Sequence, residues 1–86
     1  MEPTLHMQQG LNLLNRVLQF YPYMREGDRS VVTLTQQDWL VLMDFAQNPE
    51  ANEMRPETVS DMAVDMRTGV INVTVPDCVV EVKMGG

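Results

Sequence analysis

The chain has 86 residues, of which 44% are apolar and 21% charged, and it carries a formal net charge of −6 at pH 7. This length predicts one domain over residues 1–86, and the composition excludes an intrinsically disordered chain. The negative charge argues against direct binding to nucleic acid or to an anionic membrane. Domains this small bury only about 60–65% of their unfolded surface, so an oligomer interface would add useful stability.

A single cysteine, Cys78, excludes a disulfide within the chain and is typical of a reducing compartment. The first residues have neither the basic region nor the apolar region of a secretory signal. The longest wholly apolar run, residues 39–43, is too short to cross a bilayer. The sequence therefore predicts a cytoplasmic protein.

The first predicted element is a helix over about residues 4–20. Thr4 is its expected N-cap, and Pro22 is expected to end it. Gly10 costs about 1 kcal/mol relative to alanine inside a helix, which indicates a close contact at that position. Apolar residues recur with helical spacing at Met7, Leu11, Leu14, Leu18 and Tyr21.

The second predicted helix covers about residues 36–47, with Thr35 as its N-cap and Pro49 just beyond its end. This helix is apolar around most of its girth, which predicts either a central place in the core or an interface shared with a partner. Before it, residues 30–33 form either a short strand or simply extended chain. After it, residues 47–57 hold two prolines and no periodicity, which predicts an exposed acidic loop.

Residues 58–84 alternate between apolar and polar side chains, which predicts a three-stranded antiparallel meander with turns near Gly69 and at Pro76-Asp77. Because proline cannot take the positive φ of a primed turn, the second register could be off by one. A helix over residues 56–66 is the competing interpretation. The predicted fold is α+β, with two N-terminal helices on one face of this meander. Its buried face would hold Met62, Val64, Ile71, Val73, Val75, Cys78, Val80 and Val82.

The sequence has few residues of the types that catalysis or metal binding requires. The only histidine, His6, and the only cysteine lack the third group that activates a nucleophile, and they are too few for a zinc site. Glu57, Asp61 and Asp65 would form an acidic ridge on a helix, able to hold Mg²⁺ or Ca²⁺. On a strand Asp61 and Asp65 lie about 13 Å apart, too far for one ion. We therefore expect no enzymatic activity, no metal and no cofactor.

The charge is concentrated in residues 38–65, where seven carboxylates face one base, Arg55, for a local net charge of −6. This field predicts an inhibitor or adaptor that docks on a basic, nucleic-acid-binding surface of a larger partner protein. In size and charge the chain is similar to small acidic bacteriophage proteins that inhibit host nucleases, including anti-restriction and anti-CRISPR inhibitors, and this likeness implies a nucleic-acid mimic. The predicted partner-binding residues are Asp44, Glu50, Glu53, Met54, Glu57, Asp61 and Asp65.

The alternative hypothesis is a homo-oligomer, for example a homodimer, that holds a nucleotide or another small ligand between subunits or serves as a structural subunit. It depends on the broadly apolar second helix and on a cluster of aromatic and basic residues after the first helix. Such a cluster can stack a base and hold a phosphate, although the same aromatics would also cover the end of the helix. The residues of this alternative site are Tyr21, Tyr23, Arg25 and Arg29.

Overall fold

The computed structural model describes residues 5–85, apart from the side chain of Asn52. The described part is α+β, with helices and one four-stranded mixed sheet. A short 3-10 helix, Tyr21–Tyr23, lies between the first helix and the first strand. In chain order the other elements are α1 (Leu5–Val17), β1 (Arg29–Leu34), α2 (Gln36–Gln47), α3 (Ala51–Met54), β2 (Asp61–Asp65), β3 (Val70–Val75) and β4 (Cys78–Met84).

The sheet has the strand order β1-β4-β3-β2. β2, β3 and β4 form the predicted meander in the predicted register, with Val64 opposite Ile71 and Val80 opposite Val73. The competing helix over residues 56–66 is wrong, because β2 occupies this segment. The predicted three-stranded sheet is confirmed only in part, since β1 adds a fourth strand that pairs in parallel with β4. Parallel pairing joins segments far apart in sequence, so no local pattern indicates it.

The turn between β3 and β4 explains why the second register is correct. Val75 pairs with Cys78, so the turn consists of Pro76 and Asp77 alone. Asp77 has a φ of 66°. Proline at the first central position followed by a positive φ at the second is the pattern of a type II turn, which needs no positive φ from the proline. The proline therefore accommodates a two-residue turn without shifting the register.

The two long helices lie antiparallel to each other. At one end of the pair His6 Nε2 is 3.3 Å from Asp44 Oδ2, and at the other end Arg16 Nη2 is 3.2 Å from Asp38 Oδ2. Each ion pair joins the start of one helix to the end of the other. The sequence contained all four residues but gave no sign that they meet, because the pairing depends on how the helices are docked.

The predicted helix ends agree with the structure at the start of α2 and differ from it at the end of α1. Thr35 is the N-cap of α2, as predicted, and its Oγ1 accepts a hydrogen bond from the Asp38 amide at 3.2 Å. α1 ends at Val17, earlier than predicted, and the chain continues through a turn into the 3-10 helix that contains Pro22. The predicted N-cap of α1, Thr4, lies outside the described residues.

The core lies between the helices and one face of the sheet. Trp39, Leu42 and Phe45 of α2 are buried, and the Trp39 indole donates a hydrogen bond to the carbonyl of Val82 at 3.3 Å. The broad apolar surface of α2 is therefore largely used inside the chain, with Leu40 still 42% exposed. The buried hydrophobic residues are Met7, Leu13, Leu14, Val17, Leu34, Trp39, Leu42, Phe45, Ala51, Val59, Met62, Ile71, Val73, Val75, Cys78, Val80 and Val82.

α1 approaches α2 closely at Gly10. A Cβ atom built on this glycine would lie 2.6 Å from the Cβ of Phe45, and Phe45 is completely buried. Real Cβ atoms do not approach that closely, and the Phe45 ring is enclosed by the core, so it has no room to move away. The sequence indication of a close contact at Gly10 is confirmed.

We predict that Gly10→Ala destabilises the protein by about 1–3 kcal/mol, the usual range for overpacking a core. This loss would appear even though alanine favours a helix over glycine by about 1 kcal/mol. Urea unfolding monitored by circular dichroism measures the change. The control is Gln9→Ala, at an exposed position of the same helix. Equal stability of the two variants would show that the helices can separate at no cost.

Candidate functional site

Two carboxylates of the central acidic stretch contact basic side chains of α1. Asp38 is paired with Arg16, and Asp44, a predicted partner-binding residue, is paired with His6. His6 and Asp44 are both about half exposed, so water weakens their attraction. The two pairs connect α1 to α2, and they leave the remaining carboxylates as the main source of uncompensated charge.

The remaining carboxylates define the acidic segment, residues 50–65. Among the described residues, none of its carboxylates lies within 4.0 Å of a basic group. All of them are exposed except Asp65, which is half-buried. The segment contains one base, Arg55, which is also half-buried. Its carboxylates are Glu50, Glu53, Glu57, Asp61 and Asp65.

The first part of the acidic segment is more ordered than an exposed loop. Residues Ala51–Met54 form α3, and Ala51 is buried with 2% exposure. The Glu50 amide donates a hydrogen bond to Asn48 Oδ1 at 3.0 Å, which fixes the start of this turn. Met54, a predicted partner-binding residue in the loop expected to be exposed, is half-buried and packs against the core. An apolar side chain in a domain this small is drawn to the nearest core surface.

The second part of the acidic segment lies on β2, the outermost strand at one edge of the sheet. Met62 of this strand is buried under the helices, so its neighbours Asp61 and Ala63 project from the opposite face. Asp65 shares that face, about 13 Å from Asp61 along the strand at about 3.3 Å per residue. The two carboxylates therefore border an open sheet face at its acidic edge.

The structure does not bring these carboxylates into a metal site. Among residues 5–85 no group of three or more histidine, cysteine, aspartate or glutamate side chains is placed to hold an ion. The acidic ridge of Glu57, Asp61 and Asp65 required the helical interpretation, and the strand separates the last two. The spacing along β2 thus favours a spread of charge over a chelating cluster.

His6 and Cys78, the only histidine and the only cysteine of the sequence, have different surroundings. His6 is exposed and paired with Asp44, while Cys78 is 6% exposed within the core. The Cys78 thiol lies 3.1 Å from the carbonyl oxygen of Arg25, to which it can donate a weak hydrogen bond. A thiol packed in this way behaves as a small apolar side chain.

The residues of the alternative ligand site do not converge on one open pocket. Tyr21 packs against the core and its hydroxyl lies 3.4 Å from the carbonyl of Pro76. Arg29 is paired with Glu81 at 3.1 Å. Tyr23 is 83% exposed, and the groove of about 250 Å³ beside Tyr21 is lined by the carboxylates of Glu26 and Asp77. Carboxylates at that position would repel a nucleotide phosphate, so nucleotide binding remains a prediction without structural support.

Sequence reasoning missed the second edge of the sheet, which β1 forms. Residues 30–33 were open to interpretation as strand or extended chain, and the β-branched run Val31-Val32-Thr33 is the signal that favours a strand. The burial of this strand alternates, with Val31 and Thr33 exposed on the open face and Leu34 buried on the other. In the order β1-β4-β3-β2 this strand is terminal, so no strand of residues 5–85 pairs with its other side.

Comparisons with known proteins found no match to the chain. No protein-family model matches it, and neither a curated protein nor a solved structure does so. Among the described residues no helix is both long enough and apolar enough to cross a membrane. The function must therefore be argued from the site itself.

We predict that the two carboxylates of β2 differ in their effect on stability. Asp65 Oδ1 accepts a hydrogen bond from the Arg67 amide at 2.9 Å, inside the turn that leads to β3. Asp65→Ala should therefore cost about 1 kcal/mol of unfolding free energy, the usual value of such a bond. Asp61→Ala should change it by less than about 0.5 kcal/mol. Thermal and urea unfolding distinguish the two variants, and equal losses would assign Asp61 a structural role.

Proposed function

We propose that the chain is a binding module that docks through its acidic segment on a basic surface of a larger protein, as an inhibitor or an adaptor. The observation that carries this proposal is the row of five carboxylates between Glu50 and Asp65, for which no described basic group forms an ion pair. Their counter-charges must come from ions or from another molecule.

The order of the acidic segment supports binding rather than simple solvation. Ala51, Val59 and Met62 are buried at 2%, 5% and 8% exposure, so the backbone between the carboxylates is anchored to the core. A segment whose backbone is already fixed loses less conformational entropy when it binds a partner. Charges fixed on such a backbone also set a defined pattern, and this pattern is what selects one basic surface over another.

A nucleic-acid-binding protein is the partner class that fits this surface best. Such proteins carry lysine and arginine side chains arranged to neutralise successive phosphates. The carboxylates of the acidic segment would offer negative charges to the same lysine and arginine side chains, in place of the phosphates. The chain would therefore compete with nucleic acid for the partner, and its association rate would fall steeply with salt.

We predict that reversing two exposed carboxylates of the acidic segment, Glu53→Lys with Glu57→Lys, weakens partner binding at least about tenfold, mainly by slowing association. Both side chains are exposed and neither forms a described hydrogen bond or ion pair, so the fold should be kept. The test is a pull-down from nuclease-treated extract with the tagged chain, followed by kinetics on the recovered partner at stepped salt concentrations. Duplex DNA added to the complex should displace the chain.

A control variant with the same change in charge separates docking from a general effect of net charge. Glu26→Lys combined with Gln9→Lys and Gln37→Lys changes the net charge by the same amount at exposed positions outside the acidic segment. This control should keep most of the wild-type affinity. The proposal is refuted if the control loses as much affinity as the reversal, or if neither salt nor DNA affects the complex.

A further inference from the structure

The backbone of β1 is paired with β4 on one side and, within the described part of the chain, with no strand on the other. The carbonyls of Asp28 and Leu34 accept hydrogen bonds from the amides of Val79 and Gly85, at 3.2 and 2.6 Å. In a parallel pair the residues that bond to the neighbour alternate with residues whose N–H and C=O point away. The even-numbered residues of this stretch therefore bond to β4, and the outward-pointing residues are Arg29, Val31 and Thr33. Among residues 5–85 no backbone group outside the sheet bonds to these three.

The free edge of β1 lacks the features that usually protect an edge strand. Sheet edges are normally guarded by charged side chains, prolines or bulges. The other edge of this sheet has Asp61 and Asp65 at the two ends of β2. From Ser30 to the end of β1 no residue is charged and none is proline. The charge of Arg29, at the start of the strand, is paired with Glu81.

Apolar side chains are also exposed beside this edge. Val31 is 53% exposed on the open face of the sheet, and Phe20 is 62% exposed near the end of α1. Phe20 lines a groove of about 340 Å³ between α1 and β1, together with Val32 and Leu34. An added strand would cover Val31 and close this groove along its length.

We propose that β1 pairs antiparallel with β1 of a second copy of the chain, around a two-fold axis at Val31. The outward-pointing residues must then face one another, which sets Val31 opposite Val31 of the second copy and Arg29 opposite Thr33. Each such pair exchanges two backbone hydrogen bonds. The two sheets become one continuous sheet with all helices on the same side, and the two Val31 side chains cover each other.

A second copy is favoured as occupant because the charges of β1 fit self-pairing. In the register centred on Val31, the positive charge of Arg29 faces the neutral Thr33, so no like charges meet. On β2, a two-fold axis at Ala63 would set Asp61 opposite Asp65 of the second copy, and these like charges would repel. Pairing of β1 with β2 would leave free edges and form open fibres, whereas the two-fold pairing closes.

The dimer leaves the acidic segment accessible. β2 lies at the opposite end of the strand order from β1, so the two β2 strands, with their part of each acidic segment, occupy the two outer ends of the joined sheet. This inference is independent of the proposed function, because it rests on the other edge. If both hold, each dimer would present two docking surfaces, and binding to a partner with two basic sites would be strengthened by avidity.

Cysteine cross-linking tests the register. In the proposed dimer the two residues 31 have Cα atoms about 5.5 Å apart, within the range of a disulfide. Val31→Cys should therefore form a covalent dimer under mild oxidation by copper–phenanthroline, seen on a non-reducing gel. Thr33→Cys is the matched control, because the two residues 33 would lie about 13 Å apart. Equal cross-linking of the two variants, or none for Val31→Cys, would overturn the proposal.

The mass in solution tests the dimer without a covalent bond. Light scattering after size exclusion should give about twice the chain mass of 9.8 kDa for the wild type. Val31→Lys should give a folded monomer, since two lysines would meet at the axis, while Ala63→Lys, on the same face at the other edge, should remain dimeric. A wild type that stays monomeric up to about 1 mM would refute the proposal. A Val31→Lys variant that dimerises like the wild type would also refute the proposal.

Discussion

The burial of one face of the sheet under α2 is the constraint on which the rest of the structure depends. Ile71, Val73, Val80 and Val82 are at most 1% exposed, and Leu42 and Phe45 cover them from the helix side without any exposure. A strand can bury only alternate residues, so the opposite face must carry the polar side chains. This alternation fixes the pairing of β2, β3 and β4, and it places Asp61 on the open face. The close approach at Gly10 then docks α1 against α2.

The acidic segment acquires its character from this core. Ala51, Val59 and Met62 anchor the chain that leaves α2, so the carboxylates between them are held on a fixed backbone. Two other carboxylates, Asp38 and Asp44, serve a different purpose because they link α2 to α1. The negative charge of the central stretch is thus divided between helix docking and a surface whose carboxylates have no described ion partner. Only the second share is available to another molecule.

The two edge strands of the sheet differ in charge. β2 carries a carboxylate at each end, which opposes pairing with a copy of itself. β1 carries a short uncharged run of β-branched residues, with Val31 exposed and outward-pointing backbone groups beside a groove. We propose a basic partner for the first edge and strand addition for the second. Because the sheet separates the edges, a molecule on one edge would not block the other.

The sequence by itself determined the local features: α2 and its cap at Thr35, the close contact at Gly10, and the register of β2, β3 and β4. These follow from periodicity and turn chemistry between residues that are near in the chain. Tertiary structure alone decided that β1 joins the sheet beside β4, that His6 and Arg16 contact Asp44 and Asp38, and that Met54 turns towards the core. Each of these joins distant segments or depends on how elements pack. Which side chains meet depends on how the elements dock, and a pattern along the chain holds no information about docking.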